Sequence, residues 1–155
     1  STFLNTVLKY SPSQNQWESV GEIKTTTGEP FGLSAGTRAA YLDKYIVLFG
    51  GDKGIIFNQT ERINNTLATM PDGIEKQALL QQKDKLLSEH PGLYREVLAF
   101  NTQQGNWEVI GEMPEYVQVT TTAVWWNEKV YIPSGEVKPG IRTDDVTIVE
   151  LNGGK

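Results

Sequence analysis

Between Glu136 and Arg142 the chain places one carboxylate, two cations (Lys138 and Arg142) and the pair Pro139-Gly140 within seven positions. Proline followed by glycine fits the two central places of a type II turn, since proline pre-sets φ and glycine accepts a positive one. Such a turn folds Arg142 back toward Glu136. A carboxylate held beside a guanidinium keeps its charge to lower pH and has a fixed position. That suits a base that must stay ionised to accept a proton, or a carboxylate that orients a sugar hydroxyl. On pattern alone, the same residues equally make a surface ion pair.

Other chemistries lack material. The chain has no cysteine and one histidine, His90, so a zinc site or a Ser-His-Asp triad has almost nothing to be built from. His90 itself, in His90-Pro91-Gly92, reads as the end of a helix. A net charge of −5 and the lack of any basic block argue against nucleic acid as a partner. No run approaches the ~20 apolar residues of a membrane span. No basic segment followed by an apolar one opens the sequence, so no signal peptide is visible.

The elements that must position Glu136 and Arg142 come from an internal repeat. Leu8 to Ile23 and Leu98 to Met113 align without gaps, ninety residues apart, with Trp17, Gly21 and Glu22 matching Trp107, Gly111 and Glu112. Each copy reads as a strand, a polar turn and a strand led by tryptophan. A second pair aligns Asp43-Lys-Tyr-Ile-Val-Leu-Phe-Gly50-Gly51-Asp52 with Asn127-Glu-Lys-Val-Tyr-Ile-Pro-Ser134-Gly135-Glu136, at an offset six residues shorter. The difference falls in a connector, where the first copy carries Thr25 to Pro30. Expected strands are 6–10 and 16–20; then 34–41, 45–49, 94–100 and 106–110; then 119–126, 129–133 and 144–151.

These marks resemble the kelch repeat: a strand ending in Gly-Gly, a strand with an aromatic, a turn and a Trp-led strand. The fold implied is all-β, a kelch-type β-propeller segment with about two and a half blades, where closure takes ~4–8. Tryptophan at a fixed place is expected to pack one blade onto the next. Two open sheet edges would be an aggregation hazard, so the remaining blades are expected from a longer parent chain or from elsewhere. All of 1–155 reads as part of one propeller domain.

A kelch repeat runs ~50 residues, so the longer offset exposes an insertion in the loop after Gly51, near 58–92. Ile63, Leu67 and Met70 form a helical stripe, Pro71-Asp72-Gly73 breaks it, and Ile74 to Glu89 is rich in helix formers. Leu79, Lys83, Leu86 and Leu87 form one face of that second helix. The insertion and the Glu136 loop leave equivalent strands of adjacent blades, so the helices are placed to wall a pocket beside it. Further candidates follow from this map. Arg38, on an innermost strand, either faces the channel or pairs with an acid. Lys138 either binds substrate or is a solvated turn lysine. Asn58 either contacts ligand or caps the insertion helix. Asp52, equivalent to Glu136, suits turn capping. Thr120, Thr121 and Thr122 offer hydroxyls or simply fill a strand.

The stretch Gly135-Glu136-Val137-Lys138-Pro139-Gly140-Ile141-Arg142-Thr143-Asp144 resembles the signature loop of the bacterial N-acetylneuraminate mutarotases, also called epimerases, which reads Gly-Glu-Ala-Lys-Pro-Gly-Leu-Arg-Thr-Asp. Val137 and Ile141 are the departures. Gly50-Gly51 followed by Ile56-Phe57-Asn58, and Phe100 to Glu112, look like the same family. The resemblance implies a six-bladed propeller, of either the usual or a cyclically permuted blade order, that interconverts the α and β anomers of sialic acid. It places the catalytic glutamate on Glu136 and the essential arginine on Arg142. It implies no cofactor and no metal, a sugar acid as partner, and a periplasmic or secreted location. The alternative is a kelch module that binds sugar or protein without turnover.

Overall fold

Short apolar-polar alternations, cut by Ser-Pro-Ser, Leu-Asp and Gly-Gly breaks, fold as strands. The computed structural model describes residues 3–24 and 27–152. Thr25 and Thr26, part of the connector that distinguishes the two copies, lie outside the described residues. Strands β1 (Thr6–Ser11) and β2 (Gln16–Glu22) form one antiparallel pair. Strands β3 (Thr37–Tyr41), β4 (Tyr45–Phe49), β5 (Glu96–Asn101) and β6 (Asn106–Glu112) form a four-stranded meander in that order. Strands β7 (Val124–Trp126), β8 (Lys129–Lys138) and β9 (Ile141–Val149) form the third sheet. The sheets thus read as the outer half of one blade, a whole blade, and three strands of the next.

The repeat seen in the sequence is a repeat in geometry. Register slips by one residue between Val7 and Leu8 opposite Gly21 and Ser19, and again between Val97 and Leu98 opposite Gly111 and Val109. An extra residue on one strand is a β-bulge, which bends and twists the pair. Tyr10 and Trp17 face each other across the first hairpin with ring centroids 5.0 Å apart; Phe100 and Trp107 do so at 5.1 Å. Each tryptophan packs on the aromatic of its own hairpin; Trp107 is half-buried with its Nε1 buried, and Trp17, on the two-stranded first sheet, stays 67% exposed. The first two blades approach closely at glycine. A Cβ on Gly21 would lie 3.0 Å from the Gly105 carbonyl and 3.1 Å from the Phe100 ring.

The core lies between the middle and last sheets. Val47, Phe49, Val97 and Ala99 supply one side and Val130 and Ile132 the other, with Met113, Val117 and Val119 of the connecting segment between them. Leu98 and Phe100, on the opposite face of β5, are also buried. A strand flanked on both sides buries both faces, which is why Val97-Leu-Ala-Phe100 reads as an unbroken apolar run.

Two expected strands are shorter than their sequence patterns. The 34–41 and 119–126 stretches pair continuously only from Thr37 and Val124. Ahead of them Ala35 (φ 60) and Thr120 (φ 53) are left-handed and interrupt each ladder, leaving a single rung upstream, Ser34 to Asp52 and Val119 to Glu136. On the partner side Gly50-Gly51 (φ 67 and 136) and Ser134-Gly135 (φ 51 and 128) turn the chain in the same way. The Gly-Gly mark is thus a backbone requirement: a Cβ on Gly135 would sit 2.9 Å from Gln118 Cβ and from the Val119 carbonyl.

Helices α1 (Ile55–Leu67) and α2 (Ile74–Ser88) fill the insertion as a helical hairpin broken at Pro71-Asp72-Gly73. Helix α1 starts at Ile55, ahead of the expected 58, directly after left-handed Gly54 (φ 80). It buries Thr60 and Ile63. The half-buried side of α2 includes Leu79, Lys83, Leu86 and Leu87, the face read from the sequence.

Gly135→Ala is expected to cost roughly 1–3 kcal/mol, the range for a residue forced into a strained backbone conformation. Gly111→Ala, whose Cβ meets nothing within 4 Å, is expected to move stability by less than about 1 kcal/mol. Urea unfolding of the two variants beside the wild type measures the difference.

Candidate functional site

The stretch read as a loop is a hairpin. Strand β8 continues through Glu136 to Lys138, β9 begins at Ile141, and only Pro139 and Gly140 lie between them. Gly140 has φ 74, the value that the third residue of a type II turn requires. Glu136 is held by main chain on both sides. It is registered against Arg142 in β9, and on its other flank it exchanges two hydrogen bonds with Val119, at 2.9 and 3.0 Å. Its side chain has a partner of its own, since the Gly140 N–H donates to Glu136 Oε1 at 2.5 Å.

Residues directly opposite on antiparallel strands project to the same face, so the turn does bring Glu136 and Arg142 together. The expected ion pair does not form. Arg142 Nη1 donates to Thr120 Oγ1 at 3.3 Å, and among the described residues no salt bridge joins Arg142 to Glu136. Thr120 in turn donates its N–H to the Ala35 carbonyl at 3.2 Å. The guanidinium is thereby tied to the junction between the two blades.

A cleft of about 300 Å³ opens at this junction. Glu136, Lys138 and Thr120 of the last blade line it together with Ser34 and Asp52 of the middle blade, and Phe3, Phe57 and Leu93 give it an apolar wall. Phe57 comes from α1 and stacks on Phe3 with centroids 5.2 Å apart, so the insertion does wall the cleft. The rung between Ser34 and Asp52 (3.0 and 2.8 Å) reproduces that between Val119 and Glu136, and the two carboxylates start from equivalent places. Their chemistry differs. Asp52 Oδ1 accepts the Gly54 N–H at 2.7 Å ahead of α1, the turn-capping role expected of it.

The other candidates fall apart from this group. Arg38 is exposed on β3, registered against Leu48, and has neither an ion pair nor a hydrogen bond from its side chain among the described residues. Asn58 does not cap α1. The N-cap is Gly54, and the Asn58 N–H already makes the first helical bond, to the Gly54 carbonyl at 2.9 Å. Of the three threonines, Thr120 lines the cleft, Thr121 donates to the Pro133 carbonyl at 2.6 Å, and Thr122 is exposed.

His90, read from the sequence only as a helix end, proves notable. It follows α2 but is only 3% exposed. Its Nδ1 accepts the Gly92 N–H at 3.1 Å, which assigns the proton to Nε2. That Nε2 is buried and has no hydrogen-bond partner among the described residues. A buried donor left unmatched costs about 1–3 kcal/mol. Burial pushes the His90 pKa below the ordinary 6.5; the Asp52 charge opposes this and the Lys138 charge adds to it. The ring lines a neighbouring cavity that shares Asp52 and Leu93 with the cleft. The only sequence signal was that a lone histidine sat in a Pro-Gly turn beside an insertion.

Comparisons with known proteins bear on the family and the fold. The family model described as N-acetylneuraminate epimerase matches residues 1–155. Proteins named N-acetylneuraminate epimerase include one from Salmonella paratyphi B, 27% identical over 138 residues, covering 89% of this chain and 34% of the relative. One from Vibrio vulnificus is 27% identical over 150 residues, covering 92% and 36%, and one from Brucella melitensis is 26% identical over 154 residues, covering 97% and 38%. The chain therefore spans about a third of the length of these relatives. The solved structure of YjhT superposes with a TM-score of 0.75 at 24% identity, over 95% of this chain and 41% of that one. That likeness shows the fold, a segment of a kelch-type β-propeller.

Because the folded state holds His90 neutral, it binds fewer protons than the unfolded state as pH falls. The stability this contributes is fully present above the ordinary value of 6.5 and is lost as pH drops through the lowered folded value. Urea midpoints taken between pH 7.5 and 5 are expected to fall more steeply for the wild type than for His90→Phe. Parallel slopes would remove His90 as the cause.

Proposed function

The chain belongs to the N-acetylneuraminate epimerase family, and we propose that within a complete propeller it supplies the acid/base centre that interconverts the α and β anomers of N-acetylneuraminic acid. The observation that carries the proposal is Glu136 and Arg142 opposite each other on one hairpin face, beside the cleft that Glu136 and Lys138 line.

Anomer exchange requires ring opening. The anomeric hydroxyl at C2 loses its proton, the bond from C2 to the ring oxygen breaks, and that oxygen gains a proton. Rotation about the adjoining carbon–carbon bond and reversal of these steps gives the other anomer. Glu136 is the general base. The Gly140 N–H occupies Oε1 and fixes the carboxylate plane, which leaves Oε2 to receive the proton. Such a base contributes about 10²–10⁴-fold in rate when held within hydrogen-bond reach. Arg142 is the partner of the sugar's carboxylate. A guanidinium grips a carboxylate through two parallel hydrogen bonds, and the lack of an ion pair with Glu136 leaves this one with positive charge to offer. Lys138, in the same cleft, adds a second cation toward the acid. Arg38 and Asn58 are left out of this assignment: Arg142 reaches the cleft through its hydrogen bond to Thr120, whereas neither of these side chains lines the cleft or bonds a residue that does among the described residues. The insertion forms part of the same domain, and the location outside the cytoplasm, periplasmic or secreted, is carried over from the family likeness. Among the described residues no helix is long and apolar enough to cross a membrane.

The test is proton NMR on the complete propeller assembled around this chain, with a sialidase releasing the α anomer in situ. Wild-type protein is expected to speed the approach to anomeric equilibrium. Glu136→Gln, which keeps an acceptor for Gly140, is expected to fall to the uncatalysed rate with its urea midpoint unchanged. Arg142→Ala is expected to raise KM about 10–100-fold, the worth of a charge-assisted hydrogen bond. A folded wild type that leaves the uncatalysed rate untouched would instead favour a binding propeller.

A further inference from the structure

Strands β8 and β9 do not keep one register from end to end. Val130 to Pro133 pair with Val149 to Val146, and Lys138 pairs with Ile141, all in a single register. Between these, Gly135 pairs with Thr143 and Glu136 with Arg142, one residue out of step with the rest. Two bulges bound the shifted stretch. In the first, Asp144 and Asp145 of β9 stand against Ser134 of β8; in the second, Val137 is the extra residue on β8. A bulge inserts one residue on its own strand, so a bulge on one strand followed by a bulge on the other restores the original register. The shift is therefore confined to Gly135, Glu136, Arg142 and Thr143.

Its effect is chemical. In the unshifted register Arg142 would stand opposite Val137, and Glu136 opposite Thr143. Successive side chains on a strand point to opposite faces, so Arg142 would leave the face of Glu136. The turn joins the two strands, and the bulges decide which of their residues meet.

Gln118 holds the first bulge. Its Nε2 donates to the Asp145 carbonyl at 2.8 Å, and the Thr147 hydroxyl donates to its Oε1. One planar amide thus spans the bend of β9. The side chain is 1% exposed, and a buried amide stripped of such partners is costly. Its neighbour Val119 forms the rung to Glu136, so the main chain of this segment fixes one member of the pair while the Gln118 side chain fixes the approach to the other. Ser134 Oγ adds a second tie, donating to the Thr143 carbonyl at 2.9 Å.

We propose that Gln118 is a positioning residue for Arg142, acting through Asp145: it locks the register shift that sets the guanidinium on the face of Glu136. The proposal rests on the acid/base reading of Glu136 and Arg142 above and deepens it.

Two cysteine pairs in the complete propeller report the register directly. Glu136→Cys with Arg142→Cys, and Val137→Cys with Arg142→Cys, are oxidised and the cross-linked peptides quantified by mass spectrometry; a disulfide requires close Cα atoms and converging side chains. In the otherwise wild-type protein the pair at 136 and 142 is expected to close and the pair at 137 and 142 to stay open. Gln118→Met, which keeps the length and loses both hydrogen bonds, is expected to lower the first yield and raise the second. In turnover Gln118→Met is expected to raise KM about tenfold and, in the Arg142→Ala background, to raise it no further, because residues acting through one another are not additive. A merely structural role would add in both backgrounds. Thr147→Val removes one of the two bonds to the amide; it is expected to give the same changes in smaller measure and replaces Gln118→Met if that variant does not fold. Unchanged cross-linking in the folded variant overturns the role of Gln118, as does an equal rise in KM in both backgrounds. Closure at 137 and 142 in wild type as readily as at 136 and 142 overturns the register shift itself. A wild type with the expected cross-links but no effect on anomer exchange keeps the positioning role and overturns the reading of the activity.

Discussion

Two backbone hydrogen bonds at the end of each inner strand pair govern the rest of this structure. The rung from Val119 to Glu136, and its counterpart from Ser34 to Asp52, closes after the chain has turned through left-handed residues on both sides. Without that turn the ladder would run straight on, and the carboxylates would stand along a strand rather than at the mouth between blades. Glycine at 51 and 135 is what lets the turn form so close to neighbouring backbone. The site is therefore positioned by main-chain geometry first, and its side chains are selected onto a frame already in place.

Packing holds that frame. Strand β5 of the middle sheet is covered on both faces, and its Val97, Leu98 and Phe100 are each at most 5% exposed. Burial of that kind is worth about 1.5–3 kcal/mol for each large side chain. The outer sheets have one covered face. Leu8, Trp17, Val124, Trp126, Val146 and Ile148 are all substantially exposed, an apolar surface that a propeller normally presents to another blade. Support for Glu136 comes from the better-covered side, because Val119, Val130 and Ile132 belong to the core shared with the middle blade.

What could be read from the sequence was mostly what repeats or what is locally encoded. The ninety-residue self-match located the bulged hairpins, the helix formers located the insertion, and Pro139-Gly140 specified the turn that sets Glu136 against Arg142. What could not be read depends on distant partners. The extension of β8 to Lys138 comes from pairing with β9 and Val119, and Val137-Lys138-Pro139 carries no strand pattern of its own. The freedom of Arg142 from Glu136 depends on Thr120, twenty-two residues earlier in the chain. The burial of His90 is set by the fit of residues 90–94 against 52–56, and nothing in its neighbours' types announces it. The part played by Gly21, which lets the Phe100 ring and the Gly105 carbonyl of the next blade come close, was likewise not legible from its own type.

The equivalence of Asp52 and Glu136 has a geometric consequence. Blades related by a rotation repeat their rungs at equal angles about a common axis, so a ligand near that axis meets a succession of identically presented backbone positions. Rotational likeness in the scaffold does not extend to reactivity. Each carboxylate gives one oxygen to a main-chain N–H, Asp52 to Gly54 ahead of a helix and Glu136 to Gly140 in a turn, but the second, one side-chain carbon longer, stands opposite an arginine. Adjacent blades are thereby alike in backbone and unlike in the charges that surround the same backbone position.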